Sequence, residues 1–112
     1  AASDVYKRQV TIHRSNDSYA GFKVVGHAGY AEEGYDIICA AVSVLVVNAV
    51  NSIETFTDDK FAAREDHGIV ELILEGSVSD KTTLLLDSMI LGLRDIQTQY
   101  GNEFIRLKIE EV

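Results

Sequence analysis

His27 and Cys39 are the two side chains of this sequence best suited to chemistry: an imidazole set twelve residues ahead of the only cysteine. Gly29 and Gly34 lie between them and allow the connecting loop to bend the base back toward the thiol. Asp36 reads as the N-cap of a helix, which makes Cys39 its third residue. A thiol there sits near unsatisfied backbone N–H groups and the positive end of the helix dipole, and both favour the thiolate. A thiolate with a base in reach is the equipment of nucleophilic catalysis. Ser43, one turn further on, is placed to donate a hydrogen bond to the thiolate or to a substrate. Asp36, one turn back, is placed to cap the helix, to orient His27, or both. Backbone N–H groups of the first turn are the candidate oxyanion donors.

Plainer readings compete with this one. A lone cysteine in an apolar helix is also ordinary core material. His13, in a predicted strand, and His67, in a charged connector, are alternative bases, although neither has a glycine loop beside it. One cysteine and three scattered histidines offer no close ligand pair, so neither a metal nor a cofactor is expected.

The elements that must position these residues follow from patterning. Val10-Thr11-Ile12-His13-Arg14 alternates, Ser15-Asn16-Asp17-Ser18 is rich in turn formers, and Phe22-Lys23-Val24-Val25 resumes an extended pattern. This predicts a β-hairpin with Ile12, Phe22 and Val24 in the core. The helix from Asp36 to about Thr55 is apolar nearly all round between Ile37 and Val50. It is therefore buried on most sides, and a homodimer interface is the natural cover for what one sheet leaves over. Phe61 to His67 reads as a charged connector and Ile69 to Glu75 as a strand. Ser77 or Ser79 caps a second helix carrying Leu85, Leu86, Met89, Leu93, Ile96 and Tyr100 at helical spacing, and Gly101 ends it. Ile105, Leu107 and Ile109 alternate in a last strand. The expected fold is an α/β two-layer sandwich of ββαβαβ order, with a four-stranded mixed sheet and two helices on one face.

Composition bounds the partners. A length of 112 residues supports one domain. Residues 1–9 fit no later pattern and read as an assembly remnant, leaving 10–112 as the domain. Ten basic against eighteen acidic residues give a net charge of −8, which disfavours direct contact with nucleic acid and favours a basic protein partner. The most apolar run, fourteen residues from Ile37 to Val50, is interrupted by Ser43 and Asn48 and is short of the ~20 a membrane span needs. No secretory leader is recognisable, and one cysteine gives no sign of an oxidising compartment, so a cytoplasmic setting is expected.

The run from Gly26 to Leu45, GHAGYAEEGYDIICAAVSVL, resembles the ribosomal-processing cysteine proteases of the Prp family. Their hallmark is a Gly-His-Ala-Gly-Tyr-Ala segment followed by Gly-x-Asp-Ile-x-Cys-Ala-Ala-Val-Ser. The likeness continues more weakly from Val10 through the second helix. It implies that Cys39 is the nucleophile and His27 its base, with Asp36 and Ser43 in support and Gly26 as the hinge of a mobile loop. It also implies a dimer that removes the N-terminal extension of large-subunit ribosomal protein 27, cutting after an aromatic residue. A non-catalytic ribosome-assembly module and a redox-sensing dimer using Cys39 are the readings from other classes.

Overall fold

A computed structural model of the chain describes residues 8–26, 35–66, 68–101 and 104–112, with Tyr35 and Asp36 described by their backbone alone. The elements are β1 (Arg8–Ser15), β2 (Ser18–Val25), α1 (Tyr35–Phe56), β3 (Lys60–Asp66), β4 (Ile69–Glu75), α2 (Asp80–Tyr100) and β5 (Ile105–Glu111). They form one five-stranded sheet in the order β3-β4-β2-β1-β5. It is mixed: β1 runs parallel to β5, and the other neighbours are antiparallel.

The sheet thus has five strands, and the order is ββαββαβ rather than ββαβαβ. The added strand is β3, most of which reads from sequence as a charged connector. It lies at the sheet edge, exposes Lys60, Arg64, Glu65 and Asp66, and sets only Phe61 against the core. Charge on an edge strand keeps other chains from pairing with it, and it also erases the alternation by which a strand is recognised. Arg8 and Gln9, which sequence patterning sets aside with the leading residues, are paired into β1.

The hairpin forms as expected. Asn16 and Asp17 turn the chain with φ of 52° and 65°, the positive values that a two-residue type I′ turn requires. Val10, Ile12, Phe22, Val24, Leu72 and Ile105 are buried on one sheet face and join Val42, Val46, Ala49 and Ile53 of α1 and Leu86, Met89 and Leu93 of α2 in one core. The alternate residues Thr11, His13, Lys23 and Ile73 are partly or fully exposed, so both helices cover the same face. Gly21 is required where β2 meets β4, because a Cβ there would lie 2.1 Å from the Leu72 carbonyl oxygen.

The stretch Ile37–Phe56 is 20 residues, long and apolar enough by length and composition to cross a bilayer, whereas the continuous apolar run in the sequence is shorter. One side of it is committed to the protein: Ile38, Cys39, Val42, Val46, Ala49 and Ile53 are buried. Ile37, Val44 and Val47 remain exposed, so the sheet covers only part of the helix.

Two features fix α1 in place. Leu45 packs against α2 at Gly92, where an added Cβ would meet its Cδ atoms at 2.9 Å. At the far end, the Thr57 hydroxyl donates to the Ile53 carbonyl at 2.8 Å and accepts from the Asp59 N–H at 3.1 Å. Asp59 in turn accepts from both the N–H and the hydroxyl of Ser79, each at 2.8 Å, and Ser79 caps α2. Hydrogen bonding by Thr82, then by the Ser79 backbone, holds the Asp59 carboxyl below its usual pKa. A carboxylate with a depressed folded-state pKa stabilises the fold above its unfolded value of about 3.9 and loses that contribution as pH falls through the folded one. Urea unfolding of Asp59→Asn should therefore show a shallower loss of stability than the parent on acidification below about pH 4. Ser79→Ala should cost about 1 kcal/mol at neutral pH.

Candidate active site

Of the Gly26-to-Leu45 stretch the structure describes Gly26, which follows β2, and the residues of α1 from Tyr35 onward. β2 runs toward Val25, and Gly26 follows it with φ of 150°, a value that favours glycine and suits a point where the chain leaves the sheet. His27, Gly29, Tyr30 and Gly34 lie outside the described residues. The chain re-enters at α1, which runs back over the sheet.

The helix begins two residues earlier than an N-cap at Asp36 predicts. Tyr35 is its first residue, so Asp36 lies within the first turn rather than at the N-cap, and Cys39 is the fifth helical residue rather than the third. An acidic residue is favourable in either place because the helix dipole attracts it. For the thiol the correction has a cost, since the dipole weakens beyond the first turn. Helical side chains lean toward the N-terminus, however, and this tilts the Cys39 sulfur back over the Tyr35–Asp36 turn.

Cys39 is 1% exposed. Ile38 beside it is buried too, and from Val42, one turn later, α1 joins the main core cluster. Ser43, at the next turn along the same side, is half-buried. The helix therefore carries a line from a buried thiol to a partly open hydroxyl. Beyond it is a shallow open depression of about 380 Å³, lined by Ser43, Val44, Val47, Asn48 and Asn51. Sequence reasoning singles out only Ser43 of these five. The available signal was two asparagines on an otherwise apolar helix.

The structure separates the candidate bases. His13 alternates with Ile12, which faces the helices, and so belongs to the opposite side of the sheet. A full layer of backbone stands between it and Cys39, which removes it as the base. His67 lies outside the described residues. Among the described residues no group of three or more His, Cys, Asp or Glu side chains is arranged to hold a metal ion.

Comparison with known proteins decides the family. The profile of the family "Cysteine protease Prp" matches residues 8–105. The chain belongs to this family. Ribosomal processing cysteine protease Prp of Bacillus subtilis is 33% identical over 99 residues, covering 82% of this chain and 88% of that protein. The fold agrees as well. The S. aureus ribosomal processing protease Prp, solved with a covalently linked product peptide, matches with a TM-score of 0.81 and 28% identity, over 92% of this chain and 99% of that one. The same S. aureus protease with a substrate peptide gives a TM-score of 0.84 at 27% identity, with the same coverage.

Burial of the Prp-family cysteine has a direct consequence. Native protein should react with iodoacetamide many-fold more slowly than urea-unfolded protein at the same pH, because access to the thiol requires a local opening. His13→Ala should leave that native rate unchanged.

Proposed function

We propose that this chain is a cysteine endopeptidase that removes the N-terminal extension of large-subunit ribosomal protein 27, cutting after an aromatic residue. Family membership is the observation that carries this reading, and the place of Cys39 near the start of α1 gives it a mechanism. His27 takes the thiol proton as the Cys39 sulfur attacks the scissile carbonyl. The carbonyl oxygen takes up the negative charge and is held by backbone N–H groups of the first turn of α1. Collapse of the tetrahedral adduct expels the amine, which receives the proton from His27 and leaves a thioester on Cys39. Water, deprotonated by His27, then releases the new C-terminal carboxylate. Asp36 orients His27, Ser43 donates to the thiolate or the substrate, and Gly26 is the hinge on which the loop carrying His27 moves.

The remaining parts of the reading follow from surface chemistry. A net charge of −8 attracts a basic ribosomal protein and adds steering rather than turnover. The outward face of the helix layer leaves Ile37 and Val44 of α1 and Leu84 and Leu91 of α2 exposed. A second copy of the chain is the partner that would cover this face, giving a homodimer. The cytoplasm, where ribosomes are assembled, is the compartment in which such an enzyme works.

The test is incubation with ribosomal protein 27 carrying its extension and with peptides spanning the junction. Cleavage is expected when an aromatic pair precedes the cut and is expected to vanish when both aromatics become alanine. Burial of one such ring contributes about 1.5–3 kcal/mol. Cys39→Ala and His27→Ala should each abolish turnover while still unfolding cooperatively. Full activity in either variant would overturn the dyad, and equal cleavage of both peptides would overturn the aromatic preference.

A further inference from the structure

Charge is divided unequally between the two sides of the sheet. Strand register places Lys23, Lys60, Arg64, Arg106 and Lys108 on the open face, away from the helices, together with four acids. Half of the chain's ten lysines and arginines thus stand there with fewer than a quarter of its eighteen acids. Two of those four acids are matched on the face itself, Glu71 by Arg64 at 3.4 Å and Glu110 by Lys108 at 3.1 Å. On the other side, α1, α2 and the connection from α1 to β3 carry seven acids against Lys81 and Arg94. The open face therefore amounts to +1 and the helix layer to −5, within a chain of −8.

We infer that this division of charge orients a basic protein substrate, which meets the chain on the side of the helices and is turned away from the open face of the sheet. The inference rests on the peptidase reading above and concerns the charged body of the substrate rather than the residues at the cut. Screening decides whether position or net charge governs the encounter. At physiological ionic strength the Debye length is about 8 Å, less than the width of about 10–12 Å of a helix with its side chains. A cationic side chain near the open face then responds to that face and finds no net attraction, whereas one near the helices responds to their acids. The attracting side is also the side of α1, which carries Cys39. At about 0.01 M salt the Debye length is about 30 Å. That exceeds the two shorter dimensions of the molecule, 24 and 23 Å, so a partner feels the whole charge from any direction. The sign of the partner is fixed as well. An acidic protein is repelled by the helix layer and finds a single net positive charge on the sheet.

The test uses two triple variants of the full chain that share one net charge, each exchanging carboxylates for their amides. One changes the helix side, by Glu54→Gln, Asp58→Asn and Asp95→Asn. The other changes the open face, by Glu71→Gln, Glu75→Gln and Glu110→Gln. kcat/KM is measured on ribosomal protein 27 carrying its extension and on an uncharged junction peptide. At about 0.15 M salt the helix-side variant should lose about threefold on the protein, mainly through KM, while the open-face variant keeps the parent value. At about 0.01 M salt the two variants should lose alike on the protein. Neither should change on the uncharged peptide at either salt. Rates on the protein that match between the two variants at 0.15 M, lowered or not, overturn the inference, because position would then carry no weight. A loss on the uncharged peptide as large as that on the protein also overturns it, because the helix-side acids would then act on the site itself. Failure of the parent to cleave either substrate, with correctly folded protein, removes the peptidase reading and this inference with it.

Discussion

The rest of the structure depends on how α1 is buried against the sheet. With 3.6 residues per turn, committing Ile38, Val42, Val46, Ala49 and Ile53 to one side fixes the helix's rotation about its axis. Each large apolar side chain so buried contributes about 1.5–3 kcal/mol, so a rotated helix would be strongly disfavoured. Contact at Gly92 sets the distance to α2, and the Thr57–Asp59–Ser79 hydrogen bonds anchor the far end. Once those are set, Cys39 has no freedom of placement. It faces the sheet side at the start of the helix, and Ser43 lies on the flank.

That constraint explains how the site can be both stable and closed. Cys39 is as buried as a core residue but stands one turn ahead of the contiguous core. Reaching it requires a local opening of its surroundings. The open face of the sheet, which carries His13, takes no part.

Much of this was legible in the sequence because the relevant signals are local. Ile12, Phe22 and Val24 alternate cleanly because one face of a central hairpin is buried, and Ser79 and Gly101 mark the ends of α2 because backbone capping has few solutions. β3 escaped notice for the opposite reason: an edge strand needs few buried residues and benefits from charge. The start of α1 lies two residues ahead of the predicted one because an aspartate is favourable both at the N-cap and in the first turn. Cys39 and Ser43 stand out in the sequence through the motif they share with Gly26 and His27, and the structure sets both on one side of α1. The shallow depression beyond Ser43 was not legible, since valine and asparagine on a helix announce nothing until the fold shows which flank is covered.

The central claim is that Cys39 attacks a peptide carbonyl with His27 as its base. Intact-mass spectrometry on rapidly quenched mixtures of the protein and a junction peptide tests this most directly. The account predicts a transient mass increase equal to the acyl half of the peptide, located at Cys39, and absent from both Cys39→Ala and His27→Ala. Peptide cleavage with no thioester at Cys39, or a thioester forming at the wild-type rate in His27→Ala, would contradict it.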